Sequence, residues 1–258
     1  MLIEQFGNWK FYLIGAYPAG PLGGLFLNIS MAVICLAISF IIGAIFGLGR
    51  ISCRRYISYP CAIYIEIIRA TPALLLVFWF FFFIPSVLGK NISLFWSAII
   101  SLSIYATAYQ AEIVRAGMLA VPRGQMEAAL STGMTRFMAL KTVILPQALK
   151  MMIPTFVSFF ISLFKETSVT YIIGIIELTQ TGIIVSQRQP DRMFAAYICM
   201  AIGFFVICAG MSHLARRLEK RVGLLDLTSY RPTVCRTDLS LYPRTGKKPS
   251  AENPHEAC

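Results

Sequence analysis

The stretch Pro21–Gly49, PLGGLFLNISMAVICLAISFIIGAIFGLG, carries no charged residue over 29 positions. A bilayer core about 30 Å thick is crossed by about 20 mostly apolar helical residues. Ala70–Gly89, Asn91–Ala111 and Met193–Ala215 are equally free of charge, and Met151–Ile176 is interrupted only by Lys165 and Glu166. The whole chain of 258 residues is 57% hydrophobic and 14% charged, with a mean hydropathy of +0.69. Soluble chains carry about 25% charged residues. These values exclude a cytosolic enzyme, a disordered chain and a coiled coil. Solid apolar runs, rather than weak alternation, exclude a membrane β-barrel. The sequence predicts an all-α membrane protein with about five transmembrane helices, near residues 22–49, 57–84, 92–117, 148–176 and 193–216.

The net charge of +11 is distributed by topology. Seventeen of the 23 Lys and Arg residues follow the first span, lie between the third and fourth, or follow the fifth; only Lys10, Lys90, Arg188 and Arg192 fall in the other compartment. Cytoplasmic segments collect Lys and Arg, so the N-terminus is expected outside and the C-terminus inside. With the basic residues explained this way, and no aromatic-interleaved basic surface, nucleic acid is not an expected partner; membrane lipid is. The seven cysteines form no CxxC pair and read as small packing hydrophobes. His213 and His255 stand alone, so no metal site is spelled.

Residues 1–20 read as a short external segment without a cleavable signal pattern. The external connections near 85–91 and 177–192 are short. The inside segment 118–147 is the longest connection, and it is patterned. Gln125–Leu140 has apolar residues at helical spacing, with Gly133 in the middle and Pro146 at the end. This predicts two short helices hinged at Gly133 and closed by a proline. Residues 221–258 are polar and punctuated by Pro232, Pro243, Pro249 and Pro254, and read as a disordered inside tail.

The inside segment also carries Glu127-Ala128-Ala129, Gly133, Val143 and Leu145-Pro146 at fixed spacing. This resembles the EAA-x3-G-x9-I-x-LP motif of ABC importer permeases, with Val143 in place of Ile. Pro122-x-Gly124-Gln125-x-Glu127-Ala128-Ala129 is similar to the P-x-G-Q-x-E-A-A run of the polar amino acid uptake family. Glu66-x-x-Arg69-x-Thr71-Pro72 looks like that family's E-x-x-R-x-T-P element, and Lys165-Glu166-Thr167-Ser168 like its K-[DE]-[ST]-S element. Tyr105–Gly117 is similar to the A-Y-x-A-E-x-x-R-G-G segment, with Ala116 where Gly is usual.

The resemblance covers roughly residues 20–220. It implies a type I ABC transporter transmembrane domain over 21–220 in a bacterial inner (cytoplasmic) membrane. It implies transport rather than catalysis: a second permease subunit, identical or homologous, two ATPase subunits, and a periplasmic or extracellular solute-binding protein delivering a polar amino acid. ATP and Mg would be held by the ATPase, since this chain carries no GxxxxGK[ST] phosphate cradle and no cofactor of its own. Gly124, Gln125, Glu127, Ala128, Ala129, Gly133, Val143, Leu145 and Pro146 would form the ATPase-coupling loop. Its small residues Ala128, Ala129 and Gly133 permit close approach.

Charges inside a membrane are costly, and they pair or line a path. Glu66 with Arg69, and Glu112 with Arg115, stand three apart on a helix and read as ion pairs, with coupling to the loop as a further role for the second pair. Lys165 and Glu166 sit within the fourth span. Glu166 would receive a substrate ammonium or join a network between spans; both readings stand. Tyr105, Thr107, Gln110, Thr167 and Ser168 would add hydrogen bonds along the substrate pathway, or act as polar glue between helices. Two rival functions remain open. One is import of a related small solute such as an opine. The other is an ATP-independent channel or secondary transporter, for which only Lys165 and Glu166 could supply coupling charges.

Overall fold

The structure, a computed structural model, describes residues 9–18, 20–89 and 92–221. The expected tail, from 222 onward, and the first eight residues of the external segment lie outside these. Among the described residues the chain is helical, and its only β features are two isolated bridges.

A short α1 (Trp9–Ile14) precedes α2 (Gly24–Ile51), which coincides with the first apolar run. The second run is not one span. It divides into α3 (Arg55–Ala70) and α4 (Ala73–Leu88), which meet at 105°. Pro72 is the cause. A proline disfavours the α conformation of the residue before it, and Thr71 is extended at φ −99°, ψ 130°.

Next come α5 (Leu94–Ala120), α6 (Arg123–Ser131), α7 (Arg136–Ala139) and a π-helical turn Leu140–Ile144 that leads without a break into α8 (Leu145–Glu166). Pro146 therefore lies within a continuous helical stretch, just after the π-helical turn, rather than closing a helix. A 3₁₀ segment, Thr167–Ile173, extends α8, and a second break at Gly174 (φ +93°) follows.

The segment read as an external loop, 177–192, contains a helix instead. α9 (Leu178–Arg188) is short, buries Leu178, Thr181, Gly182 and Val185, and packs on α10 (Met193–Arg221), α2 and α1. Its length and mixed polarity conceal it in the sequence. Its N-terminus is made by Glu177, whose carboxylate accepts from the Thr179 and Gln180 amides at 2.9 Å each.

Among the described residues, three helical stretches are long and apolar enough to cross a membrane: 24–51, 136–173 and 190–217; the bent α3–α4 pair makes a fourth if taken as one span. α5 is not among them, although it is central, packing on α2, α3, α4 and α8. Its polar residues Ser97, Ser101, Ser103, Thr107 and Gln110 are all buried by neighbouring helices rather than presented to lipid.

The most extensive helix packing is between α2 and α5. On α2, Cys35, Ser39, Gly43 and Gly47 recur every fourth residue and are all buried. Such small-residue stripes let membrane helices approach closely. A Cβ at Gly47 would stand 2.5 Å from the Ala111 carbonyl oxygen, and one at Gly43 would stand 2.8 Å from the Gln110 Cβ. The largest apolar cluster gathers Met31 and Cys35 of α2, Val77 of α4, Ala98, Ile99, Leu102 and Ala106 of α5, and Phe159 and Leu163 of α8.

Candidate functional site

The loop between α5 and α8 is built on a small apolar floor. Val114 and Val121 meet Ile144, Ala148 and Met152, with Met126 and Val143 packed against them. α6 ends as Gly133 takes φ +85°, donating its amide to the Leu130 carbonyl at 3.0 Å. Only glycine adopts this left-handed conformation without strain. A Cβ there would meet nothing within 4 Å, so the backbone angle, and not crowding, selects Gly133. Thr135 then caps α7 by accepting from the Met138 amide.

The residues expected to form the coupling surface divide into two groups. Gly124, Gln125, Glu127, Ala128, Gly133 and Pro146 are exposed, whereas Ala129 is buried, Val143 is half-buried against the floor, and Leu145 is half-buried.

The charged residues of α2, α3 and α5 meet at the loop-proximal ends of these helices. Glu112 is the keystone. It accepts from Arg115 Nε at 2.9 and 3.0 Å and from Arg50 Nη1 at 2.9 Å, and Arg69 Nη1 lies 4.0 Å away. Glu66 turns to Arg50 of α2 at 2.6 Å instead of to Arg69 on its own helix. The end of α2 brings a cation from a second helix, and Arg69 turns toward Glu112 and lies 5.4 Å from the Tyr109 ring centre. Arg50 belongs to this cluster as fully as the four residues expected there. In the sequence it is one basic residue among many at a span end.

From Arg69 a half-buried stripe runs along α5. Tyr109 stacks on Phe159 of α8 at 5.6 Å and meets Tyr105 at 4.7 Å, and Glu166, near the end of α8, is half-buried. Ser168, also half-buried, donates to the Lys165 carbonyl at 2.7 Å, and Lys165 itself is exposed. The other three pathway candidates are fully enclosed. Thr107 donates to the Ser103 carbonyl of its own helix, Gln110 donates to Ser39 Oγ of α2 at 2.8 Å, and Thr167 donates to the Phe164 carbonyl. The two threonine hydroxyls and the Gln110 amide nitrogen donate inside the chain, while the Gln110 Oε1 is buried without a hydrogen-bond partner.

Thr167 belongs to a buried hub absent from the sequence reading. Asn28 of α2 donates to Thr167 Oγ1 at 3.0 Å and to Glu177 Oε2 at 2.9 Å, and accepts from the Leu178 amide at 3.0 Å. Asn28, Thr167, Glu177 and Thr181 are all fully buried. Burial pushes the Glu177 carboxyl above the ordinary carboxylate range, against the opposing pull of its N–H donors. The only signal in the sequence is a polar Asn28 within the longest charge-free run. The hub joins the N-terminal half of α2, the end of α8 and the start of α9. Among the described residues no three His, Cys, Asp or Glu side chains come together as a metal site.

Residues 39–224 match the family described as binding-protein-dependent transport system inner membrane component. The chain is 35% identical over 214 residues to the probable glutamine ABC transporter permease protein GlnP of Bacillus subtilis, covering 81% of this chain and 98% of that one. It is 35% identical to the L-cystine transport system permease protein TcyB of the same organism, covering 78% and 85%. The glutamate/aspartate import permease protein GltK of Escherichia coli is 30% identical, covering 78% and 92%. Among solved structures, the crystal structure of an amino acid ABC transporter with histidines superposes with a TM-score of 0.72 at 34% identity, covering 76% of this chain and 91% of that one. The inward-facing MetNI methionine ABC transporter shares the fold, with a TM-score of 0.60 at 20% identity over 76% and 94% of the two chains. The match over residues 39–224, with relatives 30–35% identical over most of their length, places this chain in the family of inner membrane components of binding-protein-dependent transport systems.

Proposed function

We propose that this chain is the permease subunit of an ATP-driven importer for a polar amino acid, residing in the bacterial cytoplasmic membrane. Five spans carry it across, with α3–α4 as a broken second span and α5 as the third. The N-terminus is outside and the C-terminus inside. The observation that carries the reading is the α6–Gly133–α7 element. It has the spacing of an ATPase-coupling loop, and its outward face is formed by Gly124, Gln125, Glu127, Ala128 and Gly133. Relatives named for glutamine, cystine and glutamate/aspartate import support the substrate class.

Two ATPase subunits, which hold ATP and Mg, press on this loop and on that of a second permease. A solute-binding protein presents substrate outside. Closure of the ATPases moves the loop helices, and with them α5 and α8, which join the loop directly. The pathway then opens outward and closes again on release. Tyr105, Glu166 and Ser168 line it, with Glu166 receiving a substrate ammonium. Thr107, Gln110 and Thr167 support the helices from within.

The test is uptake by proteoliposomes holding the permease with its ATPase and binding protein. Accumulation of a radiolabelled polar amino acid against its gradient should require ATP and stop when Gly133→Trp is introduced. Accumulation without ATP would refute the ATP-driven reading. Reporter fusions after residues 55, 130 and 225 should read cytoplasm, and fusions near 88 and 188 the outside.

A further inference from the structure

We propose that a groove between α2, α8 and α10 binds one anionic phospholipid of the cytoplasmic leaflet, with an acyl chain among the three helices and the headgroup held by Lys150 and Arg217. The proposal needs the spans and the basic inside face of the topology above, and nothing of the transport cycle.

The groove exists because the three helices pack at one level and part at another. Away from the loop, Phe164 of α8 is buried with Leu25 and Ala32 of α2 and Leu178 of α9, and Phe204, Ile207 and Cys208 of α10 pack against them. Toward the loop, the same three helices line an open cavity of about 710 Å³, within the range of about 300–1,000 Å³ usual for small-molecule sites. Every residue lining it is apolar. Ala37 and Ile41 of α2, Ile153 and Phe160 of α8, and Met211 and Leu214 of α10 mark its walls. The rings of Phe40 and Phe156, 5.4 Å apart, tie the α2 wall to the α8 wall. Phe160 belongs to both the packed cluster and the groove, and so marks the closed end.

Length and chemistry suit an acyl chain. Lys150 and Phe160 are ten residues apart, or about 15 Å along the helix. That is half of a hydrocarbon core about 30 Å thick, so the groove is one leaflet deep. An apolar cavity offers water no hydrogen bonds, whereas a lipid tail needs none.

Charge at the mouth selects the headgroup. Lys150 stands three residues before Ile153, and Arg217 three after Leu214. Each therefore continues a groove wall by one helical turn toward the loop. Both are exposed, and neither forms an ion pair among the described residues. Neighbouring Arg216 lies 3.2 Å from His213. An apolar slot with cations at its mouth complements a molecule that is an apolar chain ending in an anion. A second copy of the chain fits worse. Copies related by a two-fold axis present the same patch to each other, which would bring Lys150, Arg216 and Arg217 against their own like charges.

The site is read by native mass spectrometry of the purified permease–ATPase complex, given equal amounts of phosphatidylglycerol and phosphatidylcholine with the same chains. Each basic residue near an anionic headgroup contributes about fivefold in affinity, so wild type should favour phosphatidylglycerol about thirtyfold, at one molecule per permease. Lys150→Gln combined with Arg217→Gln should abolish the preference. Ala37→Trp, which fills the slot, should lower retention of phosphatidylglycerol, while Ala201→Trp, at an exposed position of α10 outside the groove, should not. Equal retention of the two lipids by wild type, or full retention of phosphatidylglycerol by Ala37→Trp, would overturn the proposal. Loss of the second permease from the Ala37→Trp complex would make the groove a subunit contact, and would overturn it too. Reporter fusions after residues 130 and 225 test the inside face separately: cytoplasmic readings without a lipid preference would remove the lipid site and leave the topology standing.

Discussion

Arg50 bonds two glutamates, and distance and burial rank them in opposite order. Glu66 is nearer, at 2.6 Å against 2.9 Å for Glu112. Glu112 is better enclosed, with a side chain 20% exposed against 64% for Glu66. If water and headgroups screen the loop-proximal end of α3, burial should win. Hydrogen bonds between charged groups that are partly enclosed contribute about 1.5–3 kcal/mol, whereas exposed ion pairs contribute about 0.2–1 kcal/mol. A double-mutant cycle of Arg50→Met with Glu112→Gln should therefore give a coupling energy near 2 kcal/mol. The same cycle with Glu66→Gln should give less than about 1 kcal/mol. The assay is reversible unfolding of the detergent-solubilised transporter, followed for the wild type, each single variant and each double variant. Glu112→Gln should be the most damaging single change, because it leaves Arg50, Arg69 and Arg115 clustered with only Glu66 opposite them. A Glu66 coupling equal to or larger than that of Glu112 would refute the reasoning. It would mean that Glu66 faces hydrocarbon or a partner subunit, where the shorter bond is not screened.

Three other outcomes follow from the packing and the stripe. Gly47→Ala should destabilise the transporter by about 1–3 kcal/mol despite alanine's helix preference, because its methyl would stand 2.5 Å from a backbone oxygen that cannot step aside; thermal unfolding in detergent measures this, and unchanged stability would show that α2 and α5 are not in close contact. Asn28→Leu should cost at least as much. It leaves the buried Leu178 amide without its acceptor and Glu177 without one of its donors, at about 1–3 kcal/mol for each orphaned group, and wild-type unfolding would dismiss the hub. Glu166→Gln should assemble normally but raise the apparent KM of amino acid uptake about tenfold, with substrate binding to the separate binding protein unaffected; unchanged uptake across a substrate series would remove Glu166 from the pathway.

Much of the fold was legible because membrane burial is written in composition. Long apolar runs located α2 and α5 to within a few residues, and the starts of α8 and α10. Helical spacing around Gly133 located α6 and α7. The effect of a proline depends on where in a helix it falls. Pro72 divides a run that hydropathy alone treats as continuous, because hydropathy counts apolar character and is blind to backbone angles. Pro146 does not close the loop helices, because the π-helical turn before it carries the chain straight into α8.

Sequence by itself determined the helical class, the long apolar runs, the basic segments between them and the fixed spacing from Glu127 to Pro146. Each depends on residues close together in the chain, where solvent transfer and local backbone preference act. Tertiary structure alone decided which polar residues meet. Asn28 and Glu177 are 149 positions apart and share one hydrogen bond, and Arg50 reaches Glu112 across 62 positions. The same structure enclosed Gln110 and Thr167 and left Glu166 and Tyr105 half-open. Hydrogen bonds and ion pairs act over about 3–4 Å, and that proximity is created only when helices pack. A polar residue in an apolar run announces that it must find a partner, and the packing of the other helices selects which one.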